Sequence, residues 1–287
     1  MEGGSASPLE MDARLQDASR LTEEEQWDEA FLLLQGMEAD YPEDAMLMAM
    51  LGTVAGEMEA RGLAYEYFRR GLAAGPTDPG VLVLLGAGLA RFDDPEAEGV
   101  LRLAAITAPH VAATRLQYGS YLAREGMHEL AVRELSAARD LDPDDALILR
   151  ELGVAHWLAG EVELSAESFE GAAEMDPEES EAGLLAGLVR LLGEGFGEGA
   201  ETVVRAAAEL DEDGEVQIVA ALGAAAVGWG EEAWNALARA EVAALSADPE
   251  LVRETEDAIE AGEEVARRLL VEEMLPRLLR ERLLARP

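Results

Sequence analysis

Few side chains in this sequence are of the types that catalyse reactions or bind metal ions. The chain has three histidines, His110, His128 and His156, and no cysteine. Without cysteine there is no disulfide, no thiolate metal ligand and no thiol nucleophile. No histidine has a second ligand at the spacing of a zinc site, and the sequence contains no HExxH pair. We therefore expect neither catalytic residues nor a metal site, and no cofactor.

Two acidic turns have the composition of calcium ligands, DLDPDD at residues 140–145 and DEDGE at residues 211–215. Neither continues into the twelve-residue loop that a bidentate glutamate closes, so helix-start and turn chemistry explains them better. A GxxxxGK[ST] phosphate-binding loop is excluded, because the chain has no lysine. These observations favour a protein that is not an enzyme.

The spacing of five prolines indicates how the chain is built. Pro42, Pro76, Pro109, Pro143 and Pro177 lie 34, 33, 34 and 34 residues apart. Such a period is typical of stacked supersecondary units. Proline ends a helix because it lacks an N–H and disfavours helical geometry in the residue before it. An acidic residue close after four of these prolines can start the next helix, and these residues are Asp44, Asp78, Asp144 and Glu178.

Small and large residues recur at fixed offsets between the prolines. Residues 146–179 contain Leu152, Gly153, His156, Ser165, Phe169, Ala172 and Pro177, and a frame 34 residues earlier contains Tyr118, Gly119, Ala131, Leu135, Ala138 and Pro143. The glycine and the small residue near the middle of each frame allow two helices to cross closely. This pattern resembles the tetratricopeptide repeat (TPR) family. The resemblance implies an all-α, TPR-type helical-hairpin solenoid, a right-handed superhelix of about seven repeats, in which His156 is a packing residue.

The repeat frame divides the chain into three parts. Residues 1–10 are predicted to be a flexible N-terminus and residues 11–246 the TPR array. Residues 247–287 are predicted to be C-terminal capping helices with a basic end, because a solenoid needs an end unit that covers its last apolar face. The repeats are expected near residues 11–44, 45–78, 79–111, 112–145, 146–179, 180–214 and 215–246.

The basic end has two alternative roles. Between Ala266 and Pro287 there are six arginines and three glutamates, whereas the whole chain carries a net charge of −38. This leucine-rich segment either caps the last repeat of its own array through Leu275, Leu278 and Leu279, or associates with the acidic face of another copy. We do not expect it to enter a membrane.

The strong negative charge limits the possible partners. A chain with a net charge of −38 repels nucleic acid and anionic membrane surfaces. The acidic exterior either keeps the array soluble or attracts a basic partner. The N-terminus lacks a signal-peptide pattern and no apolar stretch is long enough to span a bilayer, so we expect a cytoplasmic protein. The absence of lysine and the abundant alanine, glycine, glutamate and arginine suggest a GC-rich bacterial genome.

The resemblance also implies a binding surface. In TPR proteins the first helix of each repeat lines a concave groove, at positions two, five, nine and twelve of the repeat. Trp157 and Arg150 lie near its middle and are of the types enriched in interface hot spots. The alternative is that curvature of the array buries these positions. The implied partner-binding residues are Met46, Ala49, Thr53, Val83, Ala87, Leu116, Ser120, Leu147, Arg150, Val154, Trp157, Leu184, Leu188 and Leu191.

The sequence therefore predicts a non-enzymatic adaptor or scaffold. Its partner would be an extended or helical segment of another protein, possibly basic or amphipathic, held in the apolar groove. Two other functions remain open at this point. One is a chaperone-like holder of a secreted or assembling protein, and the other is a self-assembling structural coat joined by the basic tail.

Overall fold

The computed structural model describes residues 8–177, 180–210, 212–243 and 248–284, and regular structure in these ranges is helical throughout. The expected all-α class is confirmed. The helices are α1 Pro8–Glu23, α2 Trp27–Glu38, α3 Ala45–Glu57, α4 Arg61–Ala73, α5 Pro79–Ala90, α6 Ala97–Thr107, α7 Ala112–Arg124, α8 His128–Leu141, α9 Ala146–Leu158, α10 Val162–Met175, α11 Ser180–Arg190, α12 Phe196–Glu209, α13 Gly214–Ala226, α14 Gly230–Val242, α15 Pro249–Ala261, α16 Glu263–Leu269, a π-helical segment Leu270–Met274, and α17 Leu275–Leu284.

The chain forms two compact units, Met1–Tyr121 and Leu122–Pro287, and the boundary lies within α7. In the first unit α1 packs on α2, α3 on α4 and α5 on α6, and neighbouring hairpins join through the α2–α3 and α4–α5 contacts. In the second unit the hairpins are α9–α10, α11–α12 and α13–α14, joined through α10–α11 and α12–α13. Helices α3 to α12 lie two to a range within the predicted repeats from 45–78 to 180–214, whereas α1 begins at Pro8 and α13 at Gly214, just before their predicted ranges.

Aspartate side chains start the first helix of several hairpins. The Oδ1 atom of Asp44 accepts a hydrogen bond from Leu47 N–H at 2.8 Å, and Asp78 caps α5 in the same way. At α9 the capping residue is Asp145, one residue later than the predicted Asp144, because its carboxylate reaches the second and third free N–H groups of the helix. Glu178 lies outside the described residues.

Phenylalanine rings that rest on glycines set how closely the helices cross. In the first unit, the ring of Phe68 in α4 lies against both Gly52 in α3 and Gly88 in α5. A Cβ atom at Gly52 would be 2.6 Å from the ring, and one at Gly88 would be 2.4 Å from it. In the second unit, Phe169 in α10 covers Gly153 in the same manner, with a separation of 2.9 Å. A side chain at these glycines would therefore push the two helices apart.

We expect Gly52→Ala to lower the free energy of unfolding by about 1–3 kcal/mol, because the added methyl group overlaps the fully packed ring of Phe68. Gly62→Ala is the matched control in the same hairpin, because a Cβ atom there has no neighbour within 4 Å. The control should not lower stability. Urea unfolding followed by circular dichroism measures both, and equal stabilities of the two variants would contradict the close packing of Phe68.

The turn between α5 and α6 is held by the buried carboxylate of Asp94. Its Oδ1 accepts from Glu96 N–H at 2.9 Å, its Oδ2 accepts from the Tyr65 hydroxyl at 2.8 Å, and Arg69 lies 3.3 Å away. Burial acts to raise the pKa of Asp94, but these hydrogen bonds and the charge of Arg69 outweigh it and hold the pKa below its usual value. The ionised form is thus preferred in the folded protein.

Because the folded-state pKa of Asp94 is lowered, its stabilising effect is complete above the unfolded value of about 4 and disappears as the pH falls through the folded value. We expect Asp94→Asn to lower the free energy of unfolding by about 1–2 kcal/mol at pH 7. The difference from the wild type should shrink in urea unfolding measured towards pH 3. Glu96→Gln, at the exposed partner of Arg69, should have a smaller effect. A difference that is the same at every pH would refute this assignment.

Candidate functional site

In the first unit, the predicted groove residues differ in their accessibility. Met46, Thr53, Val83 and Ala87 are partly exposed, whereas Ala49 is fully buried. Ala49 and Met46 belong to one apolar cluster around Phe68, and Val83 packs in a separate small cluster with Leu82. Leu116 and Ser120, on the part of α7 in this unit, are each 5% exposed. A partner could therefore reach the four partly exposed residues but not Ala49, Leu116 or Ser120 in this conformation.

In the second unit, the groove residues of α9 are accessible. Leu147 is 43% exposed, and Arg150, Val154 and Trp157 are partly exposed. Val154 and Trp157 rest with one side on the large apolar cluster of this unit. The buried carboxylate of Glu151 lies between two arginines, 3.6 Å from Arg124 and 3.9 Å from Arg150. Helix α9 thus presents apolar and aromatic surface beside Arg150, which lies close to Glu151 on the same helix.

The positions of the next hairpin that correspond to these α9 residues are buried. Leu184 and Leu188 in α11 and Leu191 just after its end occupy the frame positions of Arg150, Val154 and Trp157, yet each is 0–1% exposed. They share one cluster with apolar residues from the end of the chain, and α17 packs on α11. The C-terminal segment therefore packs on α11, the first helix of this hairpin.

The covering segment is a helical arm, Glu263–Leu284, made of α16, the π-helical segment and α17. Helix α15 packs on α13 and α14, as a further repeat would, but α16 and the π-helical segment pack back on α13. One face of the arm is buried, and its residues are Ala266, Leu270, Met274, Leu275, Leu278, Leu279 and Leu283. The predicted leucines Leu275, Leu278 and Leu279 are thus buried in α17, which packs on α11, while the earlier part of the arm packs on α13.

The arm runs antiparallel to α13. Near its start, Glu263 lies beside Gly228 after the end of α13, and Leu270 lies beside Gly223. Near its end, Arg277 donates to Glu215 at 2.9 Å in the first turn of α13. The last helix therefore reaches the N-terminal ends of the groove helices.

Arg282 makes the central ionic contacts of the arm. It donates to Oδ2 of Asp213 and lies 3.8 Å from Glu181 in the first turn of α11. The other oxygen of Asp213 caps α13 by accepting from Glu215 N–H and Val216 N–H, each at 3.1 Å. One carboxylate thus starts a groove helix and also binds the arm.

Sequence reasoning missed the path of the arm and one aromatic cluster. The amphipathic pattern of residues 263–284 predicts a helix, but its packing partners on α11 and α13 lie far earlier in the chain, and Arg277 and Glu215 are 62 residues apart. In the first unit, Tyr65 and Phe92 have ring centroids 5.3 Å apart, and Arg61 lies over the Phe92 ring at 5.3 Å. In the sequence, the aromatic residue types of Tyr65 and Phe92 are the signal that could have indicated this cluster.

The chemistry-bearing residues fit a structural role. His156 is 8% exposed, and its Nδ1 lies 2.6 Å from a carboxylate oxygen of Glu161 in the following turn. Within residues 8–177, 180–210, 212–243 and 248–284, no three acidic or histidine side chains gather in a way that could hold a metal ion. Over the same ranges, none of the helices combines the length and apolar character needed to cross a bilayer.

No protein-family model and no curated protein matches the sequence. Solved structures resemble its fold. A chain of the APC/C hetero-tetramer Cut9-Hcn1 has a TM-score of 0.64 and 16% identity, over 83% of this chain and 48% of that one, so this chain spans about half of it. PilW, a widely conserved type IV pilus biogenesis factor, has a TM-score of 0.63 and 18% identity, over 71% of this chain and 95% of PilW.

A third similar structure is the C-terminal part of a TPR repeat-containing protein from Cytophaga hutchinsonii. Its TM-score is 0.59 with 15% identity, over 83% of this chain and 98% of that chain. Identities this low relate the chain to these proteins by fold alone.

Proposed function

Because this chain has the TPR fold that its sequence resembles, we propose that it is a non-enzymatic adaptor or scaffold that holds a segment of a partner protein in its groove. The accessible surface of α9 supports this proposal best. Leu147 is 43% exposed there, and Trp157 and Arg150 lie on the same helix. Apolar side chains left in water beside a polar rim mark protein-binding surfaces.

The size of Trp157 favours a ligand contact over a packing role. The corresponding positions of other repeats are Gly56, Ala90, Ala123, Leu191 and Val227, none of which carries a ring, so the hairpin does not need a ring there. Trp157 packs against the apolar cluster yet remains partly exposed. Tryptophan and arginine contribute most of the binding energy in many interfaces. We therefore place Trp157 and Arg150 at the centre of the proposed site.

The charge of the chain defines the class of partner. A net charge of −38 attracts a basic or amphipathic protein segment and opposes nucleic acid. Long-range attraction of this kind raises the association rate, whereas the apolar groove supplies the affinity. The proposed ligand is therefore a segment with apolar anchors and arginine or lysine side chains.

We expect Trp157→Ala to weaken partner binding by about 2 kcal/mol or more, near thirtyfold, because it removes a hot-spot ring. Its stability should fall by only about 1 kcal/mol, since the ring is partly exposed. Arg150→Glu should weaken binding as well. The measurement is affinity capture of the partner from native lysate, followed by titration with the purified partner.

Trp234→Ala is the matched control for this experiment. Trp234 is 42% exposed in the same unit, but it lies on α14, the second helix of its hairpin and outside the predicted groove. The control should bind the partner like the wild type. A Trp157→Ala protein that melts several degrees lower while binding normally would show that the ring belongs to the core, and would remove it from the site.

A further inference from the structure

The groove formed by α11 and α13 already contains an amphipathic helix, the arm Glu263–Leu284. The arm buries its leucine face against α11 and α13 and leaves Arg280 and Glu272 on its opposite face in water. A helix whose apolar face lies in a groove is one of the recurring ways in which proteins bind peptide segments. The arm therefore shows which ligand chemistry this surface accepts.

The helices that form the groove pack on neighbouring helices as well as on the arm. Helix α11 packs on α10 and α12, and α13 packs on α12 and α14, in the same arrangement as the hairpin α9–α10 before them. The cap of α13 is also independent of the arm, because Asp213 uses Oδ1 for the cap and Oδ2 for Arg282. None of these helix–helix contacts, and neither hydrogen bond of the cap, involves the arm.

The arm has the features of a segment that can leave its site. It is joined to α15 by Gly262, whose φ of 107° is accessible mainly to glycine, so a helix break is built in at this point. The helix widens to π-helical geometry at Leu270–Met274 directly before Pro276, which cannot donate a backbone hydrogen bond. The buried Nε of Arg282 has no hydrogen-bond partner among the described residues. The unpaired Nε of Arg282 costs stability in the docked state.

Charge defines the orientation that the groove accepts. The N-terminal ends of α11 and α13 carry Glu181, Asp213 and Glu215, and all three lie against arginines of α17. A helix that enters with its arginine-rich C-terminal end at these carboxylates satisfies them, whereas the opposite direction or an acidic helix would not. The recognised ligand is thus an antiparallel helix with leucines on one face and arginines near its C-terminal end.

We propose that the α11–α13 groove binds a helix of this chemistry from a partner protein, and that the arm is the resident occupant that the partner helix replaces. This inference rests on the proposed scaffold function and names its ligand class. The open residues of α9 then provide a first contact, because Val154 and Trp157 adjoin the same apolar cluster as the covered leucines. Displacing the arm extends the bound surface to α11.

The absence of native cysteine makes displacement directly measurable in the full chain. In Leu279→Cys the thiol replaces a side chain that is 0% exposed in the docked arm. The probe is a synthetic peptide of residues 263–284, which carries the proposed chemistry and competes with the tethered arm. We expect the peptide to raise the rate of thiol modification at least tenfold, with saturation as its concentration increases. A peptide with Arg277→Glu and Arg282→Glu should have no effect.

Two comparisons keep the result specific. Arg280 lies on the exposed face of α17, so the thiol of Arg280→Cys should react at the same rate with and without the peptide. In a triple variant that combines Leu279→Cys with Arg277→Glu and Arg282→Glu, the thiol should react about tenfold faster without any peptide. A double variant that combines Leu279→Cys with Arg280→Glu should react at the same rate as Leu279→Cys alone. If the triple variant fails to fold, the peptide titration of Leu279→Cys still decides the question.

A constant Leu279→Cys rate at every peptide concentration would show that the arm is a permanent part of the fold, and would overturn the proposal. A rate that rises with protein concentration alone, together with a dimer in size-exclusion chromatography, would also overturn it, because the arm of a second copy would then be the ligand. Either result can occur while binding at Trp157 persists, so the scaffold function is tested separately.

Discussion

The contact of a phenylalanine ring with glycine backbone determines how these hairpins assemble. In the first unit Phe68 reaches Gly52 in its own hairpin and Gly88 in the next, so one ring sets both the crossing within a hairpin and the spacing between hairpins. Phe169 on Gly153 repeats the crossing in the second unit, where the Ser165 hydroxyl also donates to the Gly153 carbonyl at 2.8 Å. Because interiors are close-packed, this spacing fixes where the first helices, and hence the groove residues, lie.

Much of this arrangement follows from local sequence. The proline period, the glycines beneath the rings and the aspartates at helix starts are short-range signals, and they predict the hairpins and the all-α class. The cap at Asp145 instead of Asp144 shows the limit of such signals, because two adjacent aspartates have equal capping propensity and backbone geometry selects between them. Local signals therefore define elements better than their ends.

The groove shows why a position in a repeat does not determine its accessibility. Trp157 and Leu191 occupy the same frame position, yet the first is partly exposed and the second is 1% exposed. Leu191 belongs to an apolar cluster that also contains residues of the arm, and these lie far along the chain from α11. A sequence pattern reports that residues 263–284 form an amphipathic helix, but the apolar surface that the helix covers depends on tertiary packing. That part of the site required the structure.

The requirements of helix capping also shape what the groove can recognise. Asp44 and Asp78 in the first unit, and Asp145 and Asp213 in the second, each place a carboxylate at the start of a first helix, where it pairs with free backbone N–H groups. Each cap uses Oδ1, and at Asp213 the second oxygen receives Arg282. A residue type selected to begin a helix thus supplies negative charge at one end of the groove. This charge favours a ligand that brings arginines to that end, so the recognition chemistry is a consequence of the fold itself.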